Sequence, residues 1–383
     1  MGRSSEGRSA KPQDQPALKA PAISIGGEPV VTLVRPRTSS EDTPQFLEAT
    51  VVPGKGMNLL QVKAYLPGKG EFNLLAAPNL PEAKQFLEDS SDTFGNRVFM
   101  IGSAVLVPYP NRIRGTLSAD GKTIETTVAG EKLSLPANSH GKNPGAEIHS
   151  LHGLVYSSKF EDIKYKNGPT ESTVSGILHA GDMGGRWFSR TDVSVQTTLK
   201  NDALEITITA KNVGKEPDPM AISLHPYYEL PSGDRKQVRL HVPADKRTVV
   251  NNYDDVFPTG EIVPVKDTPY DFRAPGGAPI GTMFLDDCFT GLKRNSKGNV
   301  VVELTDPAAK YGLRITSLSP EIKAVQVYSP VEKNFVAIEP QFNLADPYSK
   351  IWGKTDTGMV ALQPGKSVSW RMRLELFIPA KQK

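Results

Sequence analysis

Six histidines are scattered through this chain of 383 residues, and histidine is the side chain that most readily exchanges protons near neutral pH. His225 stands in Ser223-Leu224-His225-Pro226-Tyr227-Tyr228, directly after the apolar stretch Met220 to Leu224. This context places it where a strand edge opens into a loop bearing two aromatics, a floor suited to a sugar ring. Taken alone, a core histidine capped by a backbone carbonyl is the commoner reading. Glu339 lies in Val336-Ala337-Ile338-Glu339-Pro340-Gln341, at the end of an apolar run and ahead of a proline expected to end regular strand pairing. Shelter there raises a carboxyl pKa toward the range of a general base, although a structural salt bridge accounts for the residue equally well. Asn111-Arg112, just past Tyr109-Pro110, offers an amide and a forked cation for hydroxyl recognition or, more commonly, for loop capping. His149 and His152 could be read as metal ligands, but no third ligand at a recognisable spacing accompanies them, so no metal is assigned. Asp286-Asp287, before Cys288-Phe289, marks either a polyol site or an ordinary solvated turn.

The elements that must position these residues read as strands. Leu204, Ile206, Ile208 and Ala210 alternate with Glu205, Thr207 and Thr209, and Trp370, Met372, Leu374 and Leu376 alternate with Arg371, Arg373 and Glu375. This period of two belongs to half-buried strands. Val193, Val195 and Leu199 repeat it, and Asp120-Gly121, Asn201-Asp202 and Lys297-Gly298-Asn299 are predicted hairpin turns between such runs. A single short helix is predicted around Glu82 to Asp89, too little for alternating βα units. The chain carries 33 glycines and 32 prolines, well above the roughly 12% expected of the pair, and they punctuate many short runs. The expected fold class is all-β, a large antiparallel β-sandwich. No repeat of fixed period and no composition break interrupts it, so residues 22–383 are expected to form one domain behind a disordered polar tail over 1–21.

Several function classes fall away on composition. Two Pro-Gly-Lys-Gly segments, at 53–56 and 67–70, lack the P-loop spacing, and Gly181-Asp182-Met183-Gly184-Gly185 lacks a dinucleotide-binding spacing. Both are turns, and no cofactor is implied. A net charge of +3 without a dense basic block gives no footprint for nucleic acid or an anionic membrane. The most apolar stretch, Val98 to Val107, is too short to span a bilayer. The lone Cys288 cannot form an internal disulfide. The polar tail tilts the expected compartment toward an exported or periplasmic one, and the expected oligomeric state is a monomer or weak dimer. A small-molecule sugar remains the expected partner.

Seven segments in chain order resemble the aldose 1-epimerase (galactose mutarotase) family, over roughly Phe46 to Pro379. They are Asn111-Arg112-Ile113, Leu151-His152-Gly153, His225-Pro226-Tyr227-Tyr228-Glu229-Leu230, Pro258-Thr259-Gly260 through Thr268-Pro269-Tyr270-Asp271-Phe272-Arg273, Leu285-Asp286-Asp287-Cys288-Phe289, Gln326-Val327-Tyr328 and Glu339-Pro340-Gln341. The resemblance implies a galactose mutarotase-like supersandwich and an isomerase that interconverts the α and β anomers of a free aldose of the glucose or galactose type. It implies Glu339 as general base on the anomeric hydroxyl, His225 as general acid at the ring oxygen, and His152 as an aid to charge there. It implies Asn111, Arg112, Asp286 and Gln326 as holders of sugar hydroxyls. The chain departs from the family at Leu154 (usually Gly), Glu229 (usually Asn) and Asp287 (usually His), departures expected to cluster around the sugar.

Such chemistry moves one proton off an oxygen and one onto another, which explains why nucleotide, metal and nucleophile motifs are not needed. Rival readings are a mutarotase for phosphorylated hexoses, with Arg186 and Arg190 as candidate phosphate ligands, and a non-catalytic sugar-binding protein on the same fold.

Overall fold

The computed structural model describes residues 23–380, and the polar tail expected over 1–21 lies outside them. Strand makes up 47% of these residues and helix 7%, as the period of two requires. Every paired strand in the two large sheets runs antiparallel to its neighbour.

The first large sheet has nine strands, in the order Glu161–Asn167, Ser172–Gly181, Thr191–Leu199, Ala203–Asn212, Ser367–Phe377, Tyr311–Ser317, Val300–Asp306, Arg239–His241 and Ala278–Pro279. The second has seven, in the order Pro258–Pro264, Ala244–Val250, Leu285–Leu292, Ala324–Ser329, Phe335–Gln341, Ser223–Glu229 and Ser103–Leu106. One buried cluster contains inward residues of both, among them Ile206, Ile208, Leu313 and Leu374 from the first and Leu224, Val325, Val327, Val336 and Ile338 from the second. The sheets therefore share a core as a sandwich. Trp370 Nε1 donates to the Pro340 carbonyl across the layers at 2.7 Å, tying the central strand of one sheet to the strand that carries Glu339. A four-stranded sheet, Val31–Val34 to Gly70–Asn73, flanks the pair.

The turns show where local signals stop being sufficient. Asn201-Asp202 closes a hairpin between Thr191–Leu199 and Ala203–Asn212, and Asp120-Gly121 closes one between Thr116–Leu117 and Thr123–Val128. The second Pro-Gly-Lys-Gly turns Asn58–Leu66 back on Gly70–Asn73, and the first forms a short 3-10 turn. Lys297-Gly298-Asn299, read as a hairpin, instead carries the chain from the seven-stranded sheet to the nine-stranded one, because Leu285–Leu292 and Val300–Asp306 each find their partners elsewhere. The helix spans Leu80–Leu87, two residues earlier than predicted, where Asn79 caps it by accepting from the Glu82 amide at 3.1 Å. No helix among the described residues is long and apolar enough to cross a membrane.

Candidate active site

The outward face of the seven-stranded sheet gathers the candidate residues. Alternation decides which side chains appear there: Gln326 and Tyr328 point out while Val325 and Val327 pack into the core, and Glu339 points out between Ile338 and the core-side Pro340. Antiparallel register then brings them side by side. Gln326 opposes Glu339, and the Tyr227 to Ala337 pairing, continued by two residues, sets His225 opposite Glu339.

Two expectations are corrected at these strands. His225 does not sit where a strand opens into a loop, for Ser223–Glu229 runs straight through it. The strand simply changes partner, pairing with Ser103–Leu106 over 223–226 and with Phe335–Gln341 over 227–229, so the missing N–H of Pro226 falls at the changeover. Nor does Pro340 end pairing: the ladder to Ala324–Ser329 continues through Pro340 to Gln341, and the Pro340 carbonyl is held by Ser223 and Trp370. Of the two aromatics expected as a floor, Tyr227 lines the cleft, whereas Tyr228 turns into the core.

Loops bring the rest. Arg112–Ile113 pairs with Ser150–Leu151, and beside that bridge both Asn111 and His152 adopt φ +66°, a left-handed conformation that asparagine and histidine tolerate better than most residues. The His152 amide donates to the Asn111 carbonyl at 2.9 Å, fixing the two against each other. Gly153 follows at φ +82°, and a Cβ there would stand 2.3 Å from the Val107 carbonyl oxygen. The Leu-His-Gly signature is thus a backbone requirement that aims His152 into the site.

The result is a cleft of about 230 Å³ lined by His152, His225, Glu339, Asn111, Arg112, Asp286 and Gln326, all seven of the candidate residues. Phe99, Met100, Leu151, Tyr227 and Tyr328 complete the lining. Phe99 and Met100 carry no local signal of this role, because they arrive from a separate 3-10 turn; Tyr328 and Tyr227 were legible as the i+2 neighbours of Gln326 and His225.

His225 Nε2 lies 3.5 Å from Glu339 Oε1, beyond ordinary hydrogen-bond length, so each group is open to a third oxygen. Burial pushes the His225 pKa down to about 4, helped by the Arg112 cation, and pushes the Glu339 carboxyl well above its ordinary range, with the Asp286 charge adding to it and Arg112 opposing. The distance alone suits an ion pair, but removal of both groups from water favours the neutral one. Burial thus disfavours the charged form of each group, and one proton shared between them is the arrangement that leaves the pair without net charge. His152 is also held neutral by burial, with His225 and Arg112 nearby, and its ring meets Phe99 at 5.0 Å and His225 at 4.8 Å edge to face.

A polar chain crosses the cleft floor. Asn111 Nδ2 donates to Gln326 Oε1 at 3.1 Å, Gln326 Nε2 donates to Asp286 Oδ1 at 2.6 Å, Arg112 reaches Asp286 Oδ2 at 3.4 Å, and Arg112 also donates to Asn111 Oδ1 at 3.0 Å. The buried Arg112 Nε and the Nδ1 atoms of His152 and His225 have no hydrogen-bond partner among the described residues. Asp287 takes the other face of its strand, fully buried against Arg247 at 3.0 Å and Tyr253. Asp286 is the member of the pair that lines the cleft.

The three departures do not cluster in the lining. Leu154 lines a different groove, Glu229 stands two residues beyond Tyr227 and accepts from Asn334 at 3.3 Å, and Asp287 is turned away. Arg186 and Arg190 line two further grooves, leaving Arg112 as the cation of this cleft. Among the described residues, no group of three or more His, Cys, Asp or Glu side chains is arranged to hold a metal.

An antiparallel supersandwich that raises a carboxyl and a histidine from one sheet face is the galactose mutarotase-like fold. A galactose mutarotase-like protein from Clostridium acetobutylicum superposes with a TM-score of 0.69 at 20% identity, covering 88% of this chain and 95% of that one. An aldose epimerase homologue from C. elegans gives 0.65 at 18%, over 91% and 98%, and galactose 1-epimerase from Lactobacillus acidophilus gives 0.62 at 17%, over 92% and 99%. None of the curated proteins matches the sequence. The aldose 1-epimerase family model matches residues 78–375, and the chain belongs to that family.

Proposed function

We propose that the protein is an aldose 1-epimerase, an isomerase that exchanges the anomers of a free aldose through Glu339 and His225. The observation that carries this reading is the solvent-excluded pair at 3.5 Å, open to substrate oxygens and set beside a row of hydroxyl-binding groups.

The step follows from the geometry. With the pair's single proton on His225, Glu339 takes the proton of the anomeric hydroxyl, and the O–H electrons become the second C1–O bond. The C1 to ring-oxygen bond breaks, and its electrons pass to the ring oxygen, which takes a proton from His225. After rotation about the C1–C2 bond the same transfers run backward and close the ring on the other face of C1. The pair starts and ends with one proton, so its net charge is unchanged across the step, which suits a buried site where a net charge is costly. Once ring opening has moved the proton to Glu339, the pair is set for the closing direction. His152, neutral and packed edge to face on His225, can hydrogen-bond the ring oxygen as charge develops. The chain of Asn111, Gln326, Asp286 and Arg112 is preorganised by its own hydrogen bonds to receive hydroxyls.

Polarimetry on freshly dissolved α-glucose and α-galactose tests the reading. The protein should speed the approach to rotational equilibrium, and Glu339→Gln and His225→Asn should each remove that acceleration while sugar binding persists. Normal binding by the parent with no acceleration of any aldose would make it a sugar-binding protein instead.

A further inference from the structure

Asn138 lies outside the cleft, yet it holds the backbone that presents His152. Ser139 and His149 exchange both of their backbone hydrogen bonds, the Ser139 amide donating to the His149 carbonyl at 3.2 Å and the His149 amide to the Ser139 carbonyl at 2.9 Å. Continued by two residues, that antiparallel ladder would bring the Ala137 backbone against Leu151. Ala137 does not take the place, because it still belongs to the preceding hairpin and its amide donates to the Lys122 carbonyl at 3.0 Å. The Asn138 side chain fills the gap. The Leu151 amide donates to Asn138 Oδ1 at 2.8 Å, and Asn138 Nδ2 donates to the Leu151 carbonyl at 3.1 Å. One carboxamide thus does for Leu151 what a neighbouring peptide does in a sheet, and it can do so because it accepts and donates along one edge.

The following residues show why this grip matters. His152 turns to φ +66° and Gly153 to φ +82°, and the strand Ser150–Leu151 is only two residues long, so it cannot fix the histidine by its own pairing. The His152 amide is tied to Asn111 on one flank, and Asn138 ties Leu151 on the other. Asn138 is itself buried, 6% exposed, and its orientation is locked. Its two Nδ2 hydrogens are shared among the Leu151 carbonyl, Asn96 Oδ1 at 3.1 Å and the Tyr156 hydroxyl at 3.0 Å, and Asn96 Nδ2 donates back to the Asn138 carbonyl at 2.6 Å. Tyr156 carries the support round to the imidazole: its ring meets Phe99 edge to face at 5.1 Å, and Phe99 meets His152 at 5.0 Å. Backbone and ring of His152 therefore rest on one buried cluster of Asn138, Asn96 and Tyr156, none of which lines the cleft.

We propose that Asn138 is a positioning residue for the epimerase step: its carboxamide, oriented by Asn96 and Tyr156, sets the Leu151 peptide and so the place of the His152 imidazole at the ring oxygen. This rests on the epimerase reading of the cleft. Asn138 touches no substrate atom. Its effect reaches the reaction through His152 and falls on the transition state, where charge develops at the ring oxygen. A displacement of about 1 Å in such a group lowers the rate by up to roughly 100-fold.

The test is a double-mutant cycle on anomer exchange of glucose, followed by exchange NMR on the full chain at a temperature where every variant is folded. Asn138→Ala should lower kcat by roughly 10-fold or more with KM nearly unchanged. The loss should be far smaller when His152 is already replaced by alanine, because the group through which Asn138 acts has gone. Tyr156→Phe keeps the ring on Phe99 and removes a single hydroxyl, which guards against a folding defect; it should show a smaller kcat loss that also disappears in the His152→Ala background. Equal losses with and without His152, no loss in either variant, or a raised KM with kcat unchanged would overturn the proposal. Histidine-labelled NMR gives a readout independent of turnover: the His152 ring signals should move in both variants while those of the distant His179 and His241 stay. A His152 ring that stays in place refutes the positioning role whether or not the parent turns over sugar. A displaced ring in a protein that exchanges no anomers keeps the Asn138 contact and sinks the epimerase reading instead.

Discussion

Replacing Glu339 by Gln should abolish turnover and, at the same time, stabilise the fold. The residue is 2% exposed, and burial raises its carboxyl pKa well above 4.5, with the Asp286 charge adding to the effect. In the folded state it is protonated across a range where the unfolded chain has it ionised. A raised carboxyl pKa costs stability as pH climbs above 4.5, at about 1.4 kcal/mol per pH unit until the folded pKa is reached. Between pH 4.5 and pH 7 the ceiling is therefore about 3 kcal/mol. Glutamine keeps the shape and hydrogen-bonding edge of the carboxylic acid and cannot ionise in either state, so the cost vanishes. With an unfolding entropy of ~2 cal/mol/K per residue, that ceiling corresponds to a rise in melting temperature of up to about 4 °C at pH 7, shrinking to about zero at pH 4.5. Turnover should fall by roughly 10²-fold or more, with sugar binding retained. Melting curves at the two pH values and polarimetry on the same samples provide the assay. A stability gain that is equal at both pH values, or a loss at both, would refute the raised carboxyl pKa. Near-normal turnover would move the base elsewhere, with Asp286 next in line.

Three further outcomes follow from the same geometry. The pH dependence of kcat/KM should be a broad bell: the acid limb marks a second proton reaching the pair and lies well below the ordinary 6.5 of histidine, near the value of about 4 to which His225 is pushed, and the alkaline limb marks loss of the last proton, above the ordinary carboxyl range. A profile whose acid limb falls at 6.5 or higher would contradict the neutral pair. Gly153→Ala places a Cβ 2.3 Å from the Val107 carbonyl at φ +82°, so it should cost roughly 1–3 kcal/mol in a denaturant titration and reduce turnover by displacing His152. Exhaustive chelation should leave mutarotation unchanged, because the proposed step uses only carboxyl and imidazole; loss of rate restored by one added divalent ion would count against it.

How much of this was legible before any fold was known differs from residue to residue. The strands around Ile206 and Met372 declare themselves because one side of a half-buried strand must be apolar, and that requirement is written every second residue. The turn at Asn201-Asp202 and the helix after Asn79 are local in the same sense. The seven ordered segments carried the family and brought every candidate residue to notice. Local signals misled at His225 and Pro340, because whether a strand continues depends on the strands beside it: Ser103–Leu106, more than a hundred residues earlier, pairs through His225, and the ladder to Ala324–Ser329 carries on through Pro340. They misled at Lys297-Gly298-Asn299 for the same reason: turn residues fix a change of direction but not which sheet receives the chain.

What the sequence determined by itself was the β class, the turn-rich framework, and the types and order of the candidate site residues. What only the tertiary structure decided was proximity and protonation. His225 and Glu339 are more than a hundred residues apart, and their meeting is set by a register that no local window contains. Asp286 faces the cleft and Asp287 the interior because a strand can offer only one of two consecutive residues to each face. The pKa shifts follow from burial, so a carboxyl and an imidazole of ordinary acidity in the unfolded chain are pushed toward their neutral forms only when the sandwich assembles and its loops cover them.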